Sequence, residues 1–431
     1  MTAQFISSEL IVRNGVHALG GSSVSWCEVK PGTVDELIAL FALSKQAGQD
    51  SKAGSERYAL FPGRLDLNAL VAERQNIFID FSAFTAVREH VASDLVIACE
   101  TGLTLAQLNE HLSAFSQRFP VELGARAGEV TLLDLLLAGD GGYLESGFGY
   151  LRSQILGLES VYADGLVLKS GGRVVKNVTG FDVTKLVIGS KGAFAFPYLA
   201  YLRLAAVPEA VASFSVRSKS NDPSELLAVS ARLLSTGLPL STLELVEVVK
   251  KPTNENEYQL IVQVEGPGQL VDDLSSQIGR ELSAFKFTKI DNSEAQEILT
   301  YAIAASTDFS VEVAASLSLL RELLENLPAK QRGRLRVRPA SGRLFLQSGS
   351  AEQVDSDLEQ LAAILVTCRQ RGDGSALSSW ETLTVAARYG LFVSRSKRFN
   401  GLNLSSLNLY QRVKATFDPA GCLNPQANFE G

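Results

Sequence analysis

Between Trp26 and about Val207, short apolar runs alternate with segments whose apolar residues recur every three or four positions. Residues 28–31 close one apolar run, Thr33 stands where a helix cap belongs, and Leu37, Leu40, Phe41 and Leu43 then share one side at helical spacing. The stretches 58–61 (YALF), 77–81 (IFIDF) and 95–100 (LVIACE) are short, apolar and bounded by turn residues, so they read as buried strands of a mixed layer. Thr104 caps a further helix expected to run to Phe115.

After Pro208 the pattern changes. Alternation at 214–217, 258–264, 309–314, 334–338 and 343–347 predicts strands, and amphipathic helices are expected at 223–235, 269–285, 293–305, 317–327 and 351–368. Such units with few glycines predict an antiparallel sheet with helices on one face, a second domain. A polar stretch, 399–406, leads into a last helix ending at Phe417, and the closing FDPAGCLNP (417–425) stops it through Asp418–Pro419 and Asn424–Pro425.

Composition narrows the function. The 431 residues, 46% hydrophobic, suffice for two or three packed domains and exclude a disordered chain. With 40 basic against 47 acidic side chains the net charge is -7, which lacks the positive footprint of nucleic-acid binders. The strongest apolar run, 130–138, is too short to span a bilayer and carries Asp134, and the first residues lack a basic segment followed by an apolar one. A cytoplasmic protein without a transmembrane segment is therefore expected, with any membrane association peripheral and through partners. Cys27, Cys99, Cys368 and Cys422 form no CxxC pair, and His17, His90 and His111 no HExxH, so neither a disulfide framework nor a metal or iron–sulfur site is expected.

Glycine is concentrated: 14 of the 35 lie between Gly124 and Gly192, in the segment that holds GDGGYLESGFG (139–149), SGGRVVKNVTGFD (170–182) and IGSKG (188–192). Glycine serves where φ is positive or where backbone must approach a ligand closely, so loops shaped around a ligand are expected. The chain has no GxSxG elbow, no GxxxxGK[ST] loop and no GxGxxG turn, which removes hydrolase, nucleotidase and Rossmann readings. The polar, amide-rich 170–192 segment suits an anionic, heteroaromatic ligand.

Residues 171–192 resemble the GGRVVKNVTGYDLxKLxIGSxG fingerprint of FAD-dependent oxidases of the vanillyl-alcohol oxidase type, most of all the FAD-binding E subunits of bacterial glycolate oxidase, also called glycolate dehydrogenase. Further stretches match that family in order: 80–108, GYLRSQILG (149–157), VYADG (161–165) and FDPAGCLNP (417–425). The resemblance covers the first 207 residues and the last 30, with 208–400 matching in pattern alone. It implies an α+β protein: a two-lobed FAD-binding domain over 1–207 (lobes about 26–100 and 101–207), an α+β cap or substrate domain over 208–400, and a C-terminal helix and tail, 401–431, returning to the FAD domain. It implies contacts to non-covalent FAD from Gly63, Arg64, Thr131, Gly149, Arg152, Lys176, Asn177, Gly180, Phe181, Asp182 and Gly192. It also implies a homologous flavin subunit and an iron–sulfur subunit as partners, and glycolate or a related small 2-hydroxy acid as substrate.

The chain departs from the family pattern at the diphosphate loops. Phe61-Pro62-Gly63-Arg64-Leu65-Asp66 keeps one glycine, Leu133 and Asp134 replace a glycine pair, Ser153 replaces an acid after Arg152, and Gly192 is followed by Ala-Phe-Ala-Phe. A Cβ occupies space that phosphate oxygens need, and an aspartate about 4 Å from them would add roughly 1–4 kcal/mol of repulsion. Two functions therefore stand side by side: an FAD-dependent 2-hydroxy-acid oxidoreductase subunit with no catalytic base assigned, or a flavin-free structural subunit that stabilises a catalytic homologue. Read from the residues alone, Lys176, Asn177 and Asp182 could instead cap turns, Arg173 and Lys185 could be a solvated edge, and Tyr143 and Phe181 either stack near the flavin or are core aromatics. Arg369, Arg371, Arg395, Lys397 and Arg398 could attract a carboxylate or simply form a charged surface.

Overall fold

The computed structural model describes residues 6, 9–19, 22–49, 58–64, 66–172, 182–218, 221–250, 255–304, 309–327, 335–347, 356–357, 361, 384–389, 393–397, 404–425 and 429–430. Helix and sheet are mixed throughout. The first sheet contains β1 (Ile11–Leu19), β2 (Ser22–Val29), β3 (Tyr58–Pro62) and β4 (Gln75–Ile79) in the order β1-β2-β4-β3. β1 and β2 form a hairpin, and β2, β4 and β3 run parallel. Helix α1 (Val34–Gln49) crosses from β2 to β3 and buries Leu37, Leu40 and Phe41.

The second sheet is antiparallel, in the order β5-β6-β10-β8-β9, from β5 (Val87–Val91), β6 (Val96–Glu100), β8 (Ile155–Tyr162), β9 (Val167–Gly171) and β10 (Ala195–Arg203). Strands β7 (Gln117–Arg118) and β11 (Ala205–Ala206) form a small ribbon beside it. Residues 87–100, placed by sequence in the first lobe, thus pair within the second sheet, because Val96–Glu100 ladders with β10. Helix α2 (Leu105–Ser113) begins at Thr104 with a capping box to Gln107 and ends before Phe115.

Helix α3 (Leu132–Ala138) joins the two sheets. Thr131 caps it, its hydroxyl accepting from Asp134 N while Asp134 Oδ2 accepts from Thr131 N at 2.9 Å, and Gly139 ends it at φ 69°. Its leucines divide by helical spacing: Leu132, Leu135 and Leu136 enter the core of the second sheet, whereas Leu133 and Leu137 enter that of the first, with Phe41, Ile79 and Phe196. Each such burial stabilises by about 1.5–3 kcal/mol. The short helices α4 (Glu145–Phe148), α5 (Leu151–Gln154) and α6 (Val183–Val187) complete this half.

The remaining strands form one large sheet, ordered β15-β12-β14-β13-β17-β18-β16-β19-β20-β21. They are β12 (Ala210–Arg217), β13 (Thr242–Lys250), β14 (Glu255–Gly266), β15 (Lys286–Ile290), β16 (Phe309–Ala314), β17 (Leu335–Arg338), β18 (Arg343–Gln347), β19 (Thr384–Tyr389), β20 (Val393–Lys397) and β21 (Phe429–Glu430). Strands β13, β15, β19, β20 and β21 are additions to the sequence reading; Thr242–Lys250 pairs with β14 along its whole length. Helices α7 (Pro223–Ser235), α8 (Gly268–Leu282) and α10 (Leu317–Asn326) bury one face of the sheet with Leu226, Ile278 and Leu320. Helix α9 (Asn292–Ala304) corrects the expectation of helices on one face. Its Ala295 and Leu299 pack on the opposite face, with Val246, Ile261 and Tyr143, and fill the space between the sheet and the glycine loop. Tyr143 is therefore a core aromatic. The helix expected at 351–368 lies mostly outside the described residues.

Helix α11 (Leu404–Phe417) ends where expected, and the segment after it returns to the first sheet. Leu423 pairs in parallel with Leu60, Leu60 N donates to Cys422 O and Asn424 N to Leu60 O, both at 2.8 Å. Lys414 Nζ clamps this return by donating to Ala193 O, Asp418 Oδ2 and Leu423 O at 2.6–2.7 Å.

Candidate functional site

Two groups of residues meet between the sheets. The first is the set of glycine turns. Gly63, at φ 95°, extends the β3–β4 ladder by donating to Ile79 O at 2.8 Å, and leaves the Arg64 side chain exposed. Gly192, at φ 78°, packs on Pro62 so closely that a Cβ would lie 2.7 Å from its ring. The turn 188–192 is tied to the end of α3 by Gly189 N to Leu136 O at 2.8 Å and Lys191 Nζ to Ala138 O at 3.2 Å. Gly63, Arg64 and Gly192 are thus brought together beside β3.

The other expected contacts are dispersed. Gly149 ends α4 at φ 77°, and Arg152 is exposed with its guanidinium 4.8 Å from the Tyr150 ring. Asp182 caps α6, accepting from Lys185 N at 3.4 Å and pairing with Lys185 Nζ at 2.8 Å. Thr131 caps α3. Lys176, Asn177, Gly180 and Phe181, with Arg173, lie outside the described residues, as do Arg369, Arg371 and Arg398 and the side chains of Arg395 and Lys397.

FAD fits part of this lining. The 62–64 turn, with exposed Arg64 and the close-approach glycine at 192, has the cation and small residues a diphosphate requires, and Ser190 Oγ and Asn424 Oδ1 are buried polar atoms without hydrogen-bond partners among the described residues. The start of α3 does not contribute. Leu132 N donates to Leu103 O and Leu133 N to Thr101 O, both at 2.8 Å, and Asp134 N is taken by Thr131. The expected repulsion from Asp134 is removed by the same cap, which turns its carboxylate onto Thr131 N. Leu133, 1% exposed, is core rather than groove lining.

The second group was not anticipated from sequence. On the sheet face opposite α7, α8 and α10, strands β17 and β18 present Arg336, Arg338, Arg343 and Phe345, β13 presents Glu244 and β16 presents Glu312. The glycine loop supplies Asp140 and Glu145. Arg338, wholly buried, donates to Glu244 Oε1 at 2.6 Å, to Asp140 Oδ1 at 3.0 Å and to Glu145 Oε2. Arg343 donates to Glu312 Oε1 at 2.7 Å and to Glu145 Oε2 at 3.4 Å. Arg336 differs: it is 8% exposed, lies 4.2 Å from the centre of the Phe345 ring, and among the described residues makes no hydrogen bond or ion pair.

Burial opposes charge on every one of these groups, and their neighbours decide the outcome. For Asp140, Arg338, Arg343 and Arg336 outweigh burial and hold the carboxyl well below its ordinary range. For Glu312, burial is likewise outweighed, by Arg343. Glu244 is pushed up, burial exceeding the pull of Arg338 and Arg336. Arg336 is pushed down by burial and by Arg338. Buried Arg336 Nη1, Arg338 Nη2, Glu244 Oε2, Glu145 Oε1 and Gln347 Oε1 all lack a partner among the described residues, a concentration of polar atoms suited to water or a polar ligand. Only the alternation is visible in LRVR and RLFLQ, where leucine and valine occupy one face and Arg336, Arg338, Arg343, Phe345 and Gln347 the other.

Residues 27–171 match the family described as FAD binding domain. A D-lactate dehydrogenase of Archaeoglobus fulgidus is 24% identical over 437 residues, covering 92% of this chain and 90% of that protein. A probable mitochondrial D-2-hydroxyglutarate dehydrogenase of Oryza sativa subsp. indica is 26% identical over 369 residues, 77% of this chain and 63% of that protein. A mitochondrial cytochrome-type D-lactate dehydrogenase of Arabidopsis thaliana is 23% identical over 391 residues, and the alignment takes in 66% of its length. Among solved structures, alkyldihydroxyacetonephosphate synthase overlays with a TM-score of 0.66 at 15% identity, over 95% of this chain and 78% of that one, a likeness of fold. The chain carries an FAD-binding domain over residues 27–171, and its cofactor is FAD.

Proposed function

We propose that the chain is an FAD-dependent dehydrogenase subunit that oxidises glycolate or a related 2-hydroxy acid to the 2-oxo acid, beside a homologous flavin subunit and an iron–sulfur subunit. The observation that carries this reading is Arg336: a buried guanidinium that makes no ion pair with any described residue, beside Arg338, which is paired to Asp140 and Glu145 of the glycine loop. A carboxylate suits a guanidinium fork. The relatives named for D-lactate and D-2-hydroxyglutarate act on acids of this kind.

A bound FAD would supply the two-electron acceptor for this oxidation. The chain's own groups bind and orient. Arg336 holds the carboxylate, and Phe345, packed against Arg336, Arg338 and Arg343, keeps water from them. Asp140 and Glu145 fix Arg338, and through it the distance between sheet and glycine loop. Gly63, Arg64, Gly149, Arg152, Asp182 and Gly192, with Lys176, Asn177, Gly180 and Phe181, are proposed to hold the dinucleotide, and Thr131 to set the turn beside it. The test is flavin content and glycolate- or D-lactate-dependent dye reduction by the full chain with its partner subunits, lost in Arg336→Leu.

A second reading, a flavin-free scaffold subunit, is favoured by one feature, the start of α3 whose first amides are all satisfied within the protein. A chain purified without absorbance near 450 nm, from cells with ample flavin and with partners present, decides for the scaffold.

A further inference from the structure

The charge pattern of the site bears on which 2-hydroxy acids it admits, given the function proposed above. Three guanidinium groups face four carboxyls. Arg338 is engaged by Glu244, Asp140 and Glu145, and Arg343 by Glu312 and Glu145, whereas Arg336 makes no hydrogen bond or ion pair with any described residue and feels Glu244 and Asp140 only at longer range. Arg336 is also nine-tenths buried, so its charge is not screened by bulk water.

We propose that the site selects 2-hydroxy acids with a single carboxylate against dicarboxylic ones, with Arg336 as the carboxylate anchor and Glu312, Asp140 and Glu145 as the groups that set the limit by neutralising the other two arginines. A first carboxylate meets Phe345 and a cation that has no direct ion pair among the described residues. A second finds cations already paired and stands beside their carboxylates, where like charge in a buried space is strongly unfavourable. The row beyond Arg336 on the same face ends in Gln347, a neutral amide that offers no cation to a second carboxylate and whose buried Oε1 has no partner among the described residues. It can instead accept from a hydroxyl.

The test is calorimetric binding of 2-oxo acids to the full chain, since these products bind without turnover. Pyruvate and glyoxylate represent one carboxylate; 2-oxoglutarate and oxaloacetate represent two. The monocarboxylates are expected to bind at least about tenfold more tightly. Arg336→Leu is expected to weaken their binding about a hundredfold, and Arg336→Lys, which keeps the charge, by about tenfold or less. Glu312→Ala, at a side chain 33% exposed, releases Arg343 and is expected to raise 2-oxoglutarate affinity about tenfold while changing pyruvate less. Circular dichroism confirms that each variant is folded, and should Arg336→Leu not fold, Arg336→Lys and Glu312→Ala decide alone. Equal or tighter binding of dicarboxylates by the unmodified chain, or an unchanged preference in Glu312→Ala, overturns the inference. If 2-hydroxy acids are nevertheless oxidised in an Arg336-dependent way, the functional reading survives without it. Absence of binding by either class, together with absence of oxidation, overturns both.

Discussion

Arg338 of β17 and Glu145 of the glycine loop, 193 residues apart in sequence, form an ion pair from which solvent is excluded on both sides. The same guanidinium reaches Glu244 and Asp140, so one side chain holds the large sheet to the loop between the two smaller ones. Such an arrangement adds little net stability over an apolar equivalent, but removing one member strands the others.

Arg338→Met is accordingly expected to cost about 3–5 kcal/mol, because Glu244 and Glu145 are left buried without their cation. Urea unfolding followed by fluorescence measures it. Arg336→Met is the control: with no ion pair to lose, it is expected to cost less than about 1 kcal/mol and to behave as a near-neutral core exchange.

Restoring glycine at position 133 is expected to harm the protein rather than improve flavin uptake. Leu133 fills the core between α3 and the first sheet, so Leu133→Gly opens a cavity and loosens a helix, at a cost of at least about 3 kcal/mol. Asp134→Ala removes half of the capping box, for about 0.5–2 kcal/mol. A thermal unfolding series read beside flavin absorbance tests both, and a rise in bound flavin in Leu133→Gly would refute the core assignment.

Gly192→Ala is expected to destabilise by about 1–3 kcal/mol. Its φ of 78° disfavours any side chain, and the new methyl group meets Pro62. The disturbance lands on the turn that presents Arg64, so flavin retention on gel filtration should fall along with thermal stability.

Glu244 gives a pH signature. Burial raises its pKa above the ordinary 4.5, so the native state favours its neutral form. The stability it contributes is complete below that ordinary value and is lost as pH rises through the higher native one. Glu244→Gln, which stays neutral, should therefore gain on the unmodified chain over the range of rising pH above that ordinary value. Parallel melting curves across that range, with a difference that does not change with pH, would exclude ionisation of Glu244.

Much of the fold could be read from the chain because burial imposes short periods on it. Helix α7 was expected and found at 223–235, and β18 at 343–347, since one-sided burial leaves an unambiguous spacing. Strand β13 was missed because Glu244 and Glu247 interrupt its apolar run; their partners, Arg338 and the Leu335 amide, come from β17, far along the chain. The glycine turns were recognisable as local requirements of backbone shape. The arginine face was not, since no spacing within one strand tells whether an outward-looking charge meets water or another layer. At α3 a motif comparison suggested a damaged phosphate loop, whereas Thr131 and Asp134 make a well-formed helix start.

The return of the chain at Leu423 has a bearing on biosynthesis. Strand β3 is made early, yet the partner for its free edge, and the Lys414 clamp that fastens it, emerge from the ribosome only after β5 to β20 have been translated. The first sheet therefore remains unfinished while the large sheet is being made, with an open margin exposed to stray pairing and in need of shelter until the returning segment appears.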